Sequence, residues 1–181
     1  MPDYRRVFIP GACYFFTLVT HHRKPLFSNA DNRLLLRQAM KDVMRKHPFT
    51  INALVLLPDH LHCVITLPKD DMNYSKRWSM IKRKFSQVMV VETQKIYQDS
   101  RIKRRELSLW QRRFWEHAIR NEQDYINHIQ YCYWNPVKHD YVQRVADWPY
   151  STFHRDVKTG LFPLDWGGDD VTVFESMLCG E

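Results

Sequence analysis

A pair of short apolar segments constrains the fold of this chain more than any other feature. Residues 51–57 and 61–67 are rich in aliphatic and β-branched side chains, and only Pro58-Asp59-His60 separates them. Two strand-like runs joined by so short a turn predict a hairpin of antiparallel strands. The chain is therefore expected to build an antiparallel sheet rather than a doubly wound parallel one.

Apolar residues at helical spacing mark two segments of the chain. The first covers residues 31–47 and ends at Pro48, with apolar positions at Leu34, Leu35, Met40, Val43 and Met44. The second covers residues 73–98, with a predicted buried stripe of Trp78, Ile81, Phe85 and Val88. Both segments are predicted to be amphipathic helices that pack on the sheet.

A third helix is predicted to begin at Asn121, a residue type that suits the N-terminus of a helix. Two acidic residues follow within its first turn, where negative charge is favourable. We expect this helix to end at Trp134 or Asn135, because Pro136 disfavours helical geometry in the residue before it.

Two further segments are predicted to form strands. Residues 13–20 are aromatic and β-branched after a Pro-Gly turn, and residues 107–119 are predicted to form a strand pair behind a charged connector at 99–106. This order of elements predicts an α+β fold, a central antiparallel β-sheet with helices packed on it. The length of 181 residues fits one domain, which we expect over residues 1–158, followed by an acidic tail at 159–181.

Composition excludes several classes of protein. The chain has five glycines and only Gly11 lies before position 160, so it has no Gly-rich loop for a nucleotide cofactor. No apolar run approaches the roughly 18–20 residues of a membrane span, and the N-terminus lacks a signal peptide, so we expect a cytoplasmic protein without a membrane partner. Four cysteines without a CxxC pair favour reduced thiols.

Positive charge is concentrated in the middle of the chain. Residues 73–120 carry thirteen basic and four acidic side chains, whereas residues 159–181 carry five acidic side chains and no basic one. This basic excess favours a polyanionic partner. On the second predicted helix, the side opposite the apolar stripe carries Lys76, Arg77, Arg83 and Lys84. A solvated helix face and a solubilising tail are the simpler alternative.

Two histidines are predicted to share one face of the second hairpin strand. Side chains two residues apart point to the same side of a strand, so His60 and His62 lie together. Leu61 and Cys63 point to the opposite side. Neighbouring imidazoles are suitable metal ligands, and an ordinary pair of strand histidines is the alternative that this motif leaves open.

Tyr131 is predicted on the polar side of the third helix. At 100° per residue it points away from Ile129 and shares its side with Asn127, His128 and Asn135. A partly exposed tyrosine would explain this position. The alternative is a phenol presented to a cleft as a covalent nucleophile, with an amide side chain one turn beyond it.

Four segments together resemble the REP-associated tyrosine transposases, relatives of the single-tyrosine HUH transposases. HUH denotes two histidines separated by a hydrophobic residue. The segments lie within residues 4–17, 57–62, 110–117 and 131–138, and they include Pro58-Asp59-His60-Leu61-His62 and Tyr131-Cys132-Tyr133-Trp134-Asn135-Pro136. The resemblance covers residues 3–155 and implies an HUH endonuclease domain with a ferredoxin-like or RRM-like sheet.

The resemblance also implies roles for residues of the site. A divalent cation, Mg²⁺ or Mn²⁺, would be bound by His60, His62 and Asn135. Tyr131 would attack the DNA and form a 5′-phosphotyrosine link. Because one phosphodiester is exchanged for another, such a reaction needs no ATP, which agrees with the missing nucleotide motif.

Other residues near this motif are candidates for accessory roles. Two neighbouring tyrosines are weaker candidates for the nucleophile. Tyr133 stands where many relatives have another residue, so it stays an alternative to Tyr131. Tyr125 has no Asn four residues later. A phenol with an ordinary pKa of roughly 10 needs help to lose its proton. His128 is the candidate base for that step, and His117 is a candidate to line the site.

The substrates of the family are REP hairpins, imperfect palindromes flanked by a short 5′ tetranucleotide. We therefore expect a metal-dependent endonuclease and strand transferase, a transposase that acts on single-stranded DNA as a monomer. Arg5 and Arg6 suit flanking bases, and the hairpin backbone is expected to contact Lys76, Arg77, Arg83, Lys84, Arg104, Arg105, Arg112 and Arg113. The acidic tail is expected to compete with DNA for this surface.

Two other classes of function fit parts of the same pattern. One is a protein that binds REP DNA with this fold but does not cut it. The other is a small zinc-binding or RNA-binding domain with an RRM-like sheet, which predicts exposed sheet aromatics that the sequence does not show. A covalent protein–DNA adduct would separate the transposase from both.

Overall fold

The computed structural model describes residues 6–96 and 109–167, and for residues 90–96 it describes the backbone alone. The strands are β1 (Cys13–Val19), β2 (Thr50–Leu56), β3 (His60–Thr66) and β4 (Trp115–Ala118). The helices are α1 (Ala30–Lys46), α2 (Tyr74–Ile96), α3 (Glu122–Lys138) and α4 (Phe153–Lys158), and short 3₁₀ turns cover His21–Arg23, Leu26–Ser28 and Val145–Asp147. None of the helices described is both long and apolar enough to span a membrane.

The strands join in one antiparallel sheet with the order β2-β3-β1-β4. β2 and β3 form the hairpin that their sequences predict, with a register shift between Ile51 and Ala53. β1 lies between β3 and β4, and its Thr17 is directly opposite His62 of β3. With helices packed on both faces of the sheet, the structure confirms the predicted α+β class.

Side chains along the two central strands point alternately to the two faces of the sheet, so the hydrophobic core consists of two layers. Tyr14 and Phe16 of β1 pack with α1 and α2, whereas Phe15 between them packs with α3. In β3, Cys63 belongs to the first layer and Val64 to the second. Because successive strand side chains point to opposite faces, His60 and His62 lie on the same face as Val64, the face that α3 covers.

The predicted apolar stripes of the first two helices are correct only in part. In α2, Trp78, Ile81 and Phe85 are buried, but Val88 is 41% exposed. In α1, Leu34 is exposed, and the buried face consists of Leu36, Ala39, Met40 and Val43. Apolar residues occur on more than one side of α1, so periodicity alone does not determine which side meets the sheet.

The third helix continues beyond its predicted end at Trp134 or Asn135. α3 reaches Lys138, so Pro136 lies within its last turn. The end of the helix is still hydrogen-bonded, because the N–H of His139 donates to the main-chain oxygen of Asn135. Proline removes one helical hydrogen bond at this point, and the burial of its ring offsets part of that cost.

The segment before α3 contains one strand instead of the predicted strand pair. Among the described residues, only β4 pairs there, and Trp110 makes an isolated bridge with Thr20. The charged connector at 99–106 lies outside the described residues. So do the acidic tail after Gly167 and three of the predicted DNA contacts, Arg5, Arg104 and Arg105.

Arg77 does not lie on the outer face of α2, where the sequence placed it as a DNA contact. Its side chain is 2% exposed, and its two terminal nitrogens donate to the Asp71 carboxylate at 3.0 and 2.8 Å. It also donates to the main-chain oxygen of Pro48 at 2.8 Å. Arg77 thus joins the α1–β2 connection to the β3–α2 connection.

We expect Arg77→Met to lower the free energy of unfolding by about 3 kcal/mol, because the partners of a buried charge lose their donor. Lys76→Met changes the exposed neighbour and should alter the same quantity by less than about 0.5 kcal/mol. Urea denaturation followed by circular dichroism measures both values. Equal effects in the two variants would show that the buried contacts of Arg77 add no stability.

Candidate active site

β3 carries two histidines on the sheet face that α3 covers. His60 and His62 are 1% and 0% exposed, and their ring centroids lie 4.9 Å apart with the rings nearly perpendicular. Leu61 and Cys63 belong to the opposite core layer, so the predicted sharing of one face is confirmed. Buried imidazoles placed side by side require polar partners that hold them in position.

Each of these histidines is held at its Nδ1 atom by another side chain. His60 Nδ1 lies 2.6 Å from Asp59 Oδ1, and His62 Nδ1 lies 2.9 Å from Thr17 Oγ1 on β1. Both Nε2 atoms are buried, and His60 Nε2 makes no hydrogen bond within residues 6–96 and 109–167. A partner at one ring nitrogen, with the other nitrogen turned to the interior, is typical of metal-binding histidines.

Asp59 determines which nitrogen of His60 carries the proton. Burial alone would raise the pKa of Asp59, but the hydrogen bond and charge of His60, together with Arg23, lower this pKa below its ordinary value. Arg23 Nη1 lies 3.1 Å from Asp59 Oδ2. The ionised carboxylate accepts the hydrogen bond, so Nδ1 is the donor, and a neutral His60 ring has its lone pair on Nε2.

α3 brings Tyr131 directly against His62 of the histidine pair. The ring centroids of Tyr131 and His62 lie 5.3 Å apart, and Tyr131 also meets Phe15 edge-on at 5.8 Å. Tyr131 is 2% exposed, which excludes the alternative of a partly exposed surface tyrosine. Asn135, one turn later on α3, is fully buried together with its Oδ1 atom.

Lys138 is a residue of this site that the sequence analysis missed. Its Nζ donates to Tyr131 Oη at 3.1 Å. The contact exists because α3 continues through Pro136, which places Lys138 two turns after Tyr131 on nearly the same helix face. The spacing of seven residues was visible in the sequence, but the helix was predicted to end before it.

The two other tyrosines of α3 have different partners. Tyr133 Oη donates to Asp156 Oδ2 at 2.5 Å, and burial together with this carboxylate raises the pKa of Tyr133 well above its ordinary value. Asn52 Nδ2 donates to Tyr125 Oη at 3.1 Å, and burial raises the pKa of this phenol as well. These contacts favour Tyr131 over both as a nucleophile.

His117 and His128 form a second cluster with Asp124. His117 Nε2 lies 2.9 Å from Asp124 Oδ2, and the two imidazoles stack at 4.6 Å. One ligand atom from each of the three residues lies within 4.8 Å of the others, a spacing that a metal ion could bridge. The carboxylate also accepts from the main-chain and side-chain nitrogens of Arg120. A hydrogen-bonded network therefore accounts for this cluster.

His128 lies one turn before Tyr131 on α3. Burial lowers the pKa of its imidazole, whose Nδ1 donates to the main-chain oxygen of Asp124 at 2.7 Å. Its ring lies 4.9 Å from that of Phe15, which also contacts Tyr131. The base role of His128 stays a prediction, since the contact that we observe at Tyr131 Oη is made by Lys138.

Seven of the ten predicted DNA contacts lie among the described residues, and five of these are exposed. The exposed ones are Arg6, Lys76, Arg83, Arg112 and Arg113. Lys84 pairs with Asp42 at 3.3 Å. Arg6 lies 3.4 Å from the buried Glu116 and 4.4 Å from the centre of the Phe114 ring, so it anchors the N-terminal segment to the fold.

The chain is similar to known proteins over most of its length. Residues 10–131 match the family model described as "Transposase IS200 like". The chain is 45% identical to a REP-associated tyrosine transposase of Escherichia coli (strain K12), over 97% of this chain and 96% of that protein. A relative from Haemophilus influenzae, also named as a REP-associated tyrosine transposase, is 45% identical over 93% of this chain and 95% of that protein. A solved structure of a REP-associated tyrosine transposase bound to a REP hairpin matches with a TM-score of 0.80, at 45% identity and 93% coverage of both chains.

We expect Asp124→Asn to lower the free energy of unfolding by about 2 kcal/mol at pH 7, because His117 and Arg120 lose a charged acceptor. Burial opposes ionisation of this carboxyl, but hydrogen bonds from Arg120 and His117 hold the pKa of Asp124 far below its ordinary value. The stabilisation is therefore complete above about pH 4 and is lost as the pH falls below that value.

Urea denaturation at pH 7 and at pH 3.5 measures this difference between variant and wild type. The exposed Glu122→Gln, in the first turn of the same helix, serves as the control and should change stability little at either pH. A deficit of Asp124→Asn that is the same at pH 3.5 as at pH 7 would show that the ionised carboxylate is not its cause.

Proposed function

The chain belongs to the REP-associated tyrosine transposases, within the IS200-like family, and on that basis we propose that it cleaves and rejoins single-stranded DNA through a covalent bond to Tyr131. The observation that carries this proposal is the direct contact of Tyr131 with His62 on the sheet. A buried phenol beside a histidine pair is an arrangement for nucleophilic attack on a phosphodiester. The competing contacts of Tyr133 and Tyr125 support the choice of Tyr131.

The proposed DNA partner is a REP-type hairpin with its 5′ tetranucleotide flank. A relative with 45% identity is described as bound to a REP hairpin. The exposed basic residues of α2 and of the segment before β4 suit contacts to phosphate, which would supply most of the affinity. Arg6, held between Glu116 and Phe114, would carry the N-terminal segment toward the flanking bases.

We propose that His60, His62 and Asn135 hold the divalent cation. The buried Nε2 of His60 is an orphaned acceptor in the described structure, and the donor set of two imidazoles with an amide oxygen fits such an ion. When bound, the cation polarises the scissile phosphate. Asp59 and Thr17 hold the imidazoles in the orientation that this requires.

The reaction itself is carried by the phenol. Tyr131 Oη forms a bond to phosphorus as the bond from phosphorus to the 3′-oxygen breaks. The phenol loses its proton and the 3′-oxygen gains one, which leaves a 5′-phosphotyrosine and a free 3′-hydroxyl. Attack by that hydroxyl reverses the step and rejoins the strand, so no nucleotide cofactor is required.

A single chain supplies the whole site in this proposal. Tyr131 on α3 contacts His62 on β3 of the same chain, and Asn135 lies one turn further along α3. A second copy is not needed to bring the nucleophile to the histidines. We therefore propose that the active form is a monomer.

Tyr131→Phe should abolish formation of a covalent adduct with a labelled REP-type hairpin, because phenylalanine has no oxygen that can attack. Denaturing gel electrophoresis after incubation with Mn²⁺ or Mg²⁺ detects the adduct, and a native gel should show unchanged hairpin binding. Tyr133→Phe, the matched control, should keep the adduct while losing the hydrogen bond to Asp156.

Two outcomes would contradict the proposal in different ways. An adduct that persists in Tyr131→Phe would mean that another residue attacks. A wild-type protein that binds the hairpin but forms no adduct with either cation would favour the alternative of a REP-binding protein that does not cut.

His62→Ala should weaken Mn²⁺ binding at least tenfold, and Thr17→Val should weaken it about tenfold, because the hydroxyl that orients His62 is lost. Isothermal titration calorimetry of protein freed of metal with EDTA measures both affinities. His117→Ala changes the second histidine cluster and should leave Mn²⁺ affinity unchanged. Loss of binding in His117→Ala but not in His62→Ala would place the cation in the second cluster.

A further inference from the structure

A lysine ammonium lies beside the oxygen that attacks DNA in the proposed reaction. Lys138 Nζ donates to Tyr131 Oη at 3.1 Å and lies 5.1 Å from the centre of the tyrosine ring. We propose that Lys138 is a catalytic residue that stabilises negative charge on the Tyr131 oxygen, both when it attacks and when it leaves. This role rests on the proposed phosphoryl transfer by Tyr131.

The helix geometry places the two side chains together. Seven residues turn an α-helix by almost two full turns, so Lys138 and Tyr131 share a face of α3. Helical side chains lean toward the N-terminus, which directs Lys138 back along the helix to Tyr131. The tyrosine ring is packed edge-on against His62 and Phe15, so its hydroxyl has a defined position for the ammonium to meet.

A simpler role for Lys138 would be to neutralise the negative end of the α3 dipole. That role needs only an ammonium near the last carbonyl groups, as with the exposed Lys158 in the last turn of α4. Lys138 differs because it is half-buried and its ammonium is hydrogen-bonded to a phenol two turns earlier. This hydrogen bond is to the atom that reacts in the proposed mechanism.

The position of Lys138 suits both directions of the reaction. In cleavage, Tyr131 Oη bonds to phosphorus and the 3′-oxygen leaves; in rejoining, the 3′-hydroxyl attacks and Oη leaves with the negative charge. A phosphorus atom ready for attack lies about 3–3.5 Å from Oη, so the ammonium lies within about 6.5 Å of it. Positive charge fixed at this distance stabilises the anionic oxygens of the transition state.

Lys138→Met should slow adduct formation and strand rejoining about 10- to 100-fold, the usual effect of removing one such donor. The dissociation constant of the hairpin should stay within about twofold of wild type, because the lysine acts on the reacting oxygen. Lys138→Arg keeps the charge and should recover part of the rate. Lys158→Met, the matched control, should react at the wild-type rate.

A fluorinated tyrosine at position 131 separates this role from a structural one. Fluorine stabilises the phenolate by itself, so the rate deficit of Lys138→Met should shrink when residue 131 is 2,3-difluorotyrosine. A deficit that stays the same, or a Lys138→Met rate within twofold of wild type, would overturn the role of Lys138 alone. A wild-type protein that forms no adduct would overturn the proposed function first, and this role with it.

Discussion

The pairing of β1 with β3 is the interaction on which the rest of the structure depends. Its register sets Thr17 opposite His62, with the hydroxyl at hydrogen-bonding distance from the imidazole. A shift by one residue would turn the histidines of β3 to the α1–α2 face, among large aromatic side chains and away from α3. The same register places Phe15 where it contacts His62, Tyr131 and His128, so one strand supports both histidine clusters.

The buried polar groups of the α3 face follow a common rule. Each imidazole on this face has a hydrogen-bond partner at Nδ1. The partner of His60 is a carboxylate, that of His62 is a hydroxyl, and that of His128 is a main-chain oxygen. A buried polar group left without such a partner costs about 1–3 kcal/mol, so these contacts stabilise the fold while they orient the rings. In the proposed function, the site would thereby be arranged before a substrate arrives, which is the condition for electrostatic catalysis.

The errors of the sequence analysis have a shared physical origin. Periodicity gives the angle of a side chain around its own helix, but it does not say which neighbour lies at that angle. Arg77 was expected in solvent and is buried on Asp71, since two connecting segments meet over that side of α2. Val88 was expected in the core and is exposed. The rule against helix before proline also failed for Asn135, because burial of the helix end outweighed a local preference.

The sequence by itself determined the hairpin, the shared face of His60 and His62, and the presence of Tyr131 and Asn135 on one side of a helix. Those features depend on strand and helix periods, which are properties of the local backbone. Only the tertiary structure decided that this side of α3 is buried against the sheet and that Lys138 reaches Tyr131 Oη. Both depend on how far α3 extends and on what packs against it, and packing between distant segments overrides local propensity.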